Sequence, residues 1–524
     1  MDGRRGADPA VARRYRERGW WGSRTLSEVV SGHARERPGA PAFLCDGHAT
    51  TWADYDRRGS QHAGQLTACG LREGERVGVL MADGPEVHEW YLGAERAGLV
   101  VVGIGPRAGA AEVQHLLRRT AARALVSETE VAGRDVASIL AATGVEIHVE
   151  AGRQGGSTER GPAGAPLGPD DLWLLNSTSG TTGLPKCVMH TQNRWMYFDR
   201  LAVVAGDLSS EDVFMSLLPA PFGFGLWTAH FTPTLLGAPV VLVRRFAAGD
   251  VLRLLQAYRV TVLACVSTQF LMLLNEPSVA STDLSSLRVM FTGGEAVPYE
   301  RAAQFEEVTG ARVLQFYGSN ETGALSRTSL TDSRDRRLRT AGRVIDEMQV
   351  RLLDGRNDVS RAGDLGEPVC RGPATSLGYW DDDEANAVLF TPDGWMRTGD
   401  LATLDNEGYL TIVGRLSDII IRGGKNISAA QVEAMLMNHP DVDMAAAVAM
   451  PDPVFGEKVC AYVVPAGAAR PTLDELIAHM LVSGAGKETL PEYLVLVDSL
   501  PIASGGKVAK AQLKEDVRRR LGDG

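Results

Sequence analysis

The chain has little cysteine for its 524 residues. There are six, at positions 45, 69, 187, 265, 370 and 460. No two stand in a C-x-x-C pair, so neither a zinc site nor a disulfide framework is indicated, and a reducing compartment is expected. Basic residues are also in deficit: 54 Lys and Arg stand against 65 Asp and Glu, a formal charge of −11. That excludes the broad basic footprint by which proteins grip nucleic acid. No apolar run approaches the roughly 18–20 residues of a membrane span. The first residues lack the apolar core of a secretion signal. They are rich in arginine (Arg4, Arg5, Arg13, Arg14, Arg16, Arg18) but broken by Asp2, Asp8 and Glu17, which fits a frayed end and a docked helix better than a transit peptide. A cytoplasmic protein is the expectation. No internal repeat of fixed period is present, which excludes a repeat array. What remains is ordinary for a globular chain, 44% hydrophobic and 23% charged. The chain is too long for one core, so two or more domains are expected.

One stretch stands out: Asn176-Ser-Thr-Ser-Gly-Thr-Thr-Gly-Leu-Pro-Lys186. From 176 to 183 every residue is a hydroxyl, an amide or a glycine. Glycines let the backbone turn tightly and bring its N–H groups to an anion. Hydroxyls add donors, and the lysine adds a point charge. Such a loop can hold a polyphosphate. It is not a Walker-type loop, which needs G-x-x-x-x-G-K-[ST] leading straight into a helix. Here Asp171-Leu-Trp-Leu-Leu175 before it reads as a short buried strand. Cys187-Val-Met-His190 after it reads as extended, and Thr191 is placed to cap a helix from Gln192. Cys187 itself reads as a buried, inert thiol.

Around this loop, strand and helix patterns alternate. Strands are expected at 76–81, 99–103 and 124–126, with helices at 85–97 and 110–120. Further strands are expected at 213–218, 240–243 and 262–266, with a helix over 248–258. Alternation of this kind implies parallel sheets with crossover helices. Thr25 with Glu28 predicts a capping box before a helix at Leu26. Two apolar strands, at 289–292 and 313–316, each run into a glycine and then a glutamate, the kind of strand end where open α/β sheets bind ligands. From about 345 to 413 short strands and turn signals predict a small β subdomain. Gly414-Arg-Leu-Ser-Asp418 reads as a polar joint. Beyond it a strand, a Gly-Gly loop, a helix over 429–438 and two more strands predict a compact α+β unit. The fold class is α/β: a large domain over 1–413, a hinge at 414–418, and a small mobile α+β domain over 419–524.

Five segments, in order, carry a family resemblance: the 178–186 loop; Tyr317-Gly-Ser-Asn-Glu321; Trp395-Met-Arg-Thr-Gly-Asp400; Gly414-Arg415 with Arg422-Gly-Gly-Lys-Asn426; and Pro501-Ile-Ala-Ser-Gly-Gly-Lys507. With these the chain resembles the acyl-adenylate-forming superfamily of acyl- and aryl-CoA synthetases, firefly luciferase and peptide-synthetase adenylation domains. The segments around Tyr15-Arg-x-x-Gly-Trp-Trp21 and Gly103-Ile-Gly-Pro-Arg107 look most like bacterial ligases for aryl, alicyclic and medium-chain acids. The resemblance implies two steps. A carboxylate attacks the α-phosphate of magnesium-bound ATP, giving acyl-AMP and pyrophosphate. The C-terminal domain then rotates, and the thiol of CoA takes the acyl group.

The same resemblance implies roles for individual residues. Thr178, Ser179, Gly180, Thr181, Thr182, Gly183 and Lys186 form the pyrophosphate cradle. Gly294, Glu295, Ala296, Tyr317 and Gly318 take the adenine and α-phosphate side, with Gly293 shared between that wall and the acid pocket. Asp400 accepts the ribose hydroxyls beside Arg415. Glu321 is the Mg²⁺ ligand, Asn320 a donor to the α-phosphate, and Lys507 the catalytic lysine. Asp418 is the hinge, and Gly423, Gly424 and Lys425 form the loop of the thiol step. Departures from the family pattern are Cys187 for glycine, Asn320 for threonine, Ser417 for lysine, Ala429 for proline, and Ile502-Ala503 for Arg-Thr. The position that often holds a pocket histidine is Phe222, followed by Gly223. The asparagine of hydroxybenzoate activators is not found there. Phe222, Phe224, Trp227 and Thr268 read either as an apolar acid pocket or as plain core. The expected partners are a small carboxylic acid, ATP and CoA, with a homodimer left open. A carrier-protein thiol or an amine is the alternative acceptor, including nitrite activation to diazotise an arylamine. A nucleotide-binding protein without turnover is the third reading, against which Lys186, Glu321, Asp400 and Lys507 all speak.

Overall fold

The computed structural model describes residues 6–131, 134–141, 143–152, 165–177, 185–294, 297–355, 357–359, 361–502 and 507–522. Of the residues singled out above, Asp2, Arg4, Arg5, Thr178, Ser179, Gly180, Thr181, Thr182, Gly183, Glu295, Ala296, Ala503, Ser504, Gly505 and Gly506 lie outside the described residues.

The alternation in the first part folds as read. Strand Arg76–Leu80, helix Pro85–Arg96, strand Val100–Ile104, helix Ala110–Arg119 and strand Ala124–Ser127 follow one another. They belong to a six-stranded sheet that runs from Cys187–His190 through Leu174–Ser177, Val100–Ile104, Arg76–Leu80 and Ala124–Ser127 to Ile147–Glu150. Five strands are parallel. The edge strand Cys187–His190 is antiparallel to Leu174–Ser177, with Cys187 opposite Ser177. The loop at 178–186 therefore joins an antiparallel pair and does not lead into a helix, as its composition indicated. The strand before it starts at Leu174, three residues later than read, because Asp171 turns back to bridge Gly6 and to accept from the Gly168 N–H. Cys187 is buried, and burial pushes its thiol up to about 12, which makes it inert at neutral pH.

A nine-stranded sheet forms the second layer. Its parallel centre runs Arg312–Ser319, Val289–Gly293, Val262–Ala264, Phe214–Ser216, Val240–Leu242, Pro41–Cys45. Antiparallel strands close both edges. Gly293 pairs with Phe316, so the chain leaves both strands at the same end of the sheet. Gly294 and the Tyr317–Glu321 segment are brought together there.

The expected β subdomain is an antiparallel sheet of Asn357–Asp358, Gln349–Asp354, Leu365–Arg371, Asp400–Leu404 and Leu410–Arg415, with Met396–Arg397 on its edge. The part from 419 onward holds more than the one helix and three strands expected. Five strands (Ile419–Arg422, Lys425–Ser428, Val442–Asp452, Gly456–Pro465, Tyr493–Leu496) pack with helices Ala429–Met437, Leu473–Val482 and Lys510–Gly522. The two further strands expected correspond to the hairpin Val442–Asp452 and Gly456–Pro465; Lys425–Ser428, read as loop, the strand Tyr493–Leu496 and the last two helices are additional to the reading.

Helix starts show where local chemistry decides and where packing does. Thr25 and Glu28 make the predicted capping box: the Glu28 N–H donates to Thr25 Oγ1 at 3.3 Å and the Thr25 N–H to Glu28 Oε2 at 2.8 Å. Thr191 stands at the start of helix Gln192–Gly206 but its side chain makes no capping hydrogen bond. That helix start is buried and is held instead by side chains reaching into the core. Gln192 accepts from the Leu26 N–H at 2.7 Å, and Asn193 donates to Gly22 and Asp170.

Asp199, on the same helix, is 8% exposed, and burial pushes its carboxyl up to about 7, with Thr232 and Arg200 pulling weakly the other way. In an unfolded chain its pKa is about 3.9. The folded state thus holds an extra proton between pH 4 and 7, and its stability falls as pH rises through that window. Asp199→Asn should raise the melting temperature at pH 8 and leave it nearly unchanged at pH 4. Equal shifts at both pH values, read by thermal melts, would show that Asp199 carries no such cost.

Candidate active site

The strand pairing brings together the parts that sequence left scattered. Asp400 opens the strand Asp400–Leu404 and lies in register with Arg415 on the neighbouring strand. Arg415 Nε sits 3.3 Å from Asp400 Oδ1, and the Tyr317 hydroxyl donates to Asp400 Oδ2 at 2.7 Å. Burial raises the Asp400 carboxyl above its ordinary value, against the pull of Arg415, Tyr317 and Lys507. Two acceptor oxygens, held from two sides beside an aromatic ring, suit a sugar diol under a flat base.

Lys507 reaches this place from the C-terminal part of the chain. Its ammonium donates to the Gly294 carbonyl at 2.6 Å. Gly294 has φ +81°, and a Cβ there would stand 2.8 Å from Lys507 Nζ, so the position requires glycine. Lys507 lines two neighbouring cavities of about 1560 and 690 Å³, which also share Gly293, Tyr317, Gly318 and Arg415. Asp400 lines the smaller; Lys186, Asn320 and Glu321 line the larger. Tyr379, which the sequence reading missed, ties this end together. Its hydroxyl donates to Glu321 Oε1 at 2.7 Å, and Lys186 Nζ lies 4.9 Å from its ring centre. Residue 379 is placed by a bridge to Val188 on the edge strand; in sequence it looks like any tyrosine after a glycine.

The other end of the larger cavity is aromatic. Phe222, Gly223, Phe224 and Trp227 line it as read, together with Trp195, Phe198 and Phe316. Ring centres are 5.0 Å apart for Phe198 and Trp227, 4.8 Å for Phe198 and Phe316, and 5.3 Å for Phe224 and Trp227. Trp227 sits in a π-helical turn, Leu226–Phe231, a rare geometry frequent at functional sites. The alternatives of pocket and core are both met: Trp227 is 2% exposed yet forms the pocket wall. Thr268 does not join it and lines the smaller cavity. Trp195 and Phe198, missed in sequence, stand three apart on the helix Gln192–Gly206. That spacing puts both on one face and was the available signal.

The profile of the AMP-binding enzyme family matches residues 30–380, and that of the AMP-binding enzyme C-terminal domain matches 431–507. The chain belongs to the AMP-binding enzyme family. Along 93% of its length it is 36% identical to a feruloyl-CoA synthase from Amycolatopsis sp, covering 97% of that protein. It is 32% identical to the medium-chain fatty-acid–CoA ligase of Escherichia coli K12, over 97% of this chain and 93% of the other. Among solved structures, the o-succinylbenzoate CoA synthetase of Bacillus subtilis with its acyl-adenylate intermediate superposes with a TM-score of 0.82 at 26% identity, covering 93% of this chain and 97% of that one.

In this enzyme the predicted hinge and the predicted thiol-step turn are placed differently. Asp418 lines the smaller cavity and is held by Lys514, whose ammonium donates to Asp418 Oδ1 at 3.1 Å and to the Ser417 carbonyl at 2.7 Å. Gly423, Gly424 and Lys425 form an exposed hairpin turn, with Lys425 paired to Glu488 at 3.3 Å, and line neither cavity. Among the described residues no group of three His, Cys, Asp or Glu side chains could hold a metal by itself, and no helix is long and apolar enough to cross a membrane. Gly223 is a tight point between pocket and reaction end: a Cβ there would fall 2.5 Å from Asn320 Oδ1 and 3.0 Å from the Trp195 ring. Gly223→Ala should therefore displace Asn320 and slow acid activation by about 10²-fold, as ångström-scale misplacement does, with the melting temperature little changed. Wild-type rates in that variant would mean that Asn320 has room to spare.

Proposed function

We propose that this enzyme activates a carboxylic acid with ATP, forming an acyl-AMP and releasing pyrophosphate, and then transfers the acyl group to the thiol of CoA. The observation that carries this reading is the position of Lys507, between a sugar-and-base site at Asp400, Arg415 and Tyr317 and an aromatic pocket at Phe198, Phe222, Phe224 and Trp227. An adenylate has this same division: a polar nucleotide, an apolar acid, and a charged junction. The CoA ligases among its relatives support CoA as acceptor. The uncharged pocket supports an aromatic, alicyclic or medium-chain acid.

The first step puts a carboxylate, an anion, against a polyphosphate, also an anion. Donors and cations at the junction lower that barrier. Lys507 would bridge the acid oxygen and the α-phosphate. Asn320 would donate its amide to the same phosphate, and Lys186, beside the 178–184 loop, would hold the departing pyrophosphate. Asp400 would fix the ribose, with the Tyr317 ring against the base. Glu321 suits Mg²⁺: Tyr379 occupies one carboxylate oxygen, the other has no hydrogen-bond partner among the described residues, and this ion is commonly bound by one or two carboxylates plus substrate phosphates. Bound there, it would neutralise charge on the triphosphate. For the second step, Asp418 is assigned as the hinge between 1–413 and 419–524, and Gly423, Gly424 and Lys425 as the turn that a rotation would carry to the acyl group.

A panel of acids incubated with ATP and Mg²⁺, with and without CoA, tests the reading by AMP release and acyl product. AMP formation that needs an amine or a carrier protein and ignores CoA would overturn the acceptor. Lys507→Ala should slow adenylate formation by about 10²–10³-fold and spare thiolysis of supplied acyl-AMP; equal loss of both steps would contradict its role. Asp400→Asn should raise KM for ATP about ten- to a hundredfold, the worth of hydrogen bonds to a charged group, and an unchanged KM would remove Asp400 from the ribose site.

A further inference from the structure

Beneath the cleft lies a cation that the chemistry above does not use. Arg194, in the first turn of the helix Gln192–Gly206, is 2% exposed. Among the described residues no carboxylate pairs with it. Its Nε donates to the Ala374 carbonyl at 2.9 Å. One terminal nitrogen donates to the Asn320 carbonyl at 2.8 Å and to His190 Nδ1 at 2.5 Å, and the other has no hydrogen-bond partner among the described residues. Burying a guanidinium without an ion pair is costly; the Trp195 ring 4.9 Å away and the Glu321 charge offset that only in part, since burial still lowers the Arg194 pKa, so its retention calls for a use.

The hydrogen bonds running from it leave only one arrangement. A guanidinium can only donate, so His190 Nδ1 must be unprotonated and His190 Nε2 must carry the proton. That proton goes to Asn176 Oδ1 at 2.7 Å. The Asn176 amide nitrogen then donates to the Pro221 carbonyl at 2.7 Å, which can only accept, and faces Asn320 Oδ1 at 3.4 Å. The Gly223 N–H, which can only donate, also points at Asn320 Oδ1, at 3.1 Å. Both neighbours of that oxygen are donors. The NH₂ end of Asn320 is left for the cleft.

We propose that Arg194 and His190 are positioning residues that lock the side-chain amide of Asn320 with its NH₂ toward the reacting phosphate. The inference rests on the reading of Asn320 as a phosphate donor. An asparagine is nearly symmetric in shape, and flipped it would present an oxygen to an anion. The chain Arg194–His190–Asn176 removes that orientation, and it links the strand before the loop, the pocket residue Gly223 and the Glu321 segment into one unit.

ATP–pyrophosphate exchange, with an acid the wild-type enzyme accepts, tests this on Arg194→Met and His190→Phe, each alone and with Asn320→Ala. His190→Phe keeps a ring of similar size and removes both hydrogen bonds, so it decides the matter where Arg194→Met fails to fold. Expected are a loss in kcat of about 10²-fold with KM for ATP nearly unchanged, a melting temperature that is held or raised in Arg194→Met because a buried lone charge is removed, and no further loss when either change is added to Asn320→Ala. Full-rate exchange, or the same fold-loss on the Asn320→Ala background as on the wild type, would overturn the proposal. Absence of exchange in the wild-type enzyme with every acid would instead overturn the functional reading beneath it.

Discussion

The cleft depends on one long-range contact, the Lys507 ammonium on the Gly294 carbonyl, made across 213 positions of sequence. By itself it is weak, since a partly exposed lysine contributes little to stability. It is set in place by what surrounds it. Gly294 has the left-handed backbone and lacks the side chain that would push the ammonium away. On the far side Lys514 ties the 417–418 joint, and Asp443 accepts from Asn275 at 3.2 Å. Several small contacts thus put one cation at the meeting point of the two cavities. A contact of this strength can also be given up, which a proposed rotation about Asp418 requires.

The polar side of the cleft is unusually well buried, and that is where the electrostatics gain strength. Asp400 is nearly out of solvent, and so are Arg194 and His190 behind the Asn320–Glu321 turn. Charges in such surroundings interact far more strongly than in water, but each also carries a desolvation cost. Asp400 meets that cost with Arg415 and Tyr317 as partners. His190 meets it by staying neutral, since burial and the neighbouring Arg194 hold its pKa well below the usual histidine value. Among the described residues Arg194 forms no ion pair and is offset by carbonyls, an imidazole, the Trp195 ring 4.9 Å away and the Glu321 charge nearby. The residual positive charge lies under the place where an anionic substrate is proposed to sit.

The pattern of elements was legible because its signals are local. Strand at 76, helix at 85, strand at 100 and helix at 110 follow from apolar period and flanking turns, and Thr25 with Glu28 makes its cap from residues three apart. The same local logic failed at Thr191, where the buried helix start takes its hydrogen bonds from Leu26 and Gly22, and it missed the strand Tyr493–Leu496 and the helices Leu473–Val482 and Lys510–Gly522. In the site, Lys507, Asp400, Arg415, Asn320 and Glu321 could be named from motif spacing. Trp195 and Phe198 carried only their three-residue spacing as a signal, and Tyr379, Arg194 and His190 could not be named, because nothing within a few residues of each marks it.

What the sequence alone determined about this protein is the α/β plan, the family and the charged groups of the cleft. These rest on side-chain chemistry and short-range spacing, which survive without coordinates. What only the tertiary structure decided is how the groups meet: Asp400 opposite Arg415 through strand register, Glu321 under Tyr379 through the bridge at Val188, and the aromatic wall made from three separate segments. The reason is that hydrogen bonds and ring contacts act over a few ångströms in space, whatever the distance along the chain. The orientation of a single amide at Asn320, read from the donors and acceptors around it, belongs wholly to that second kind of information.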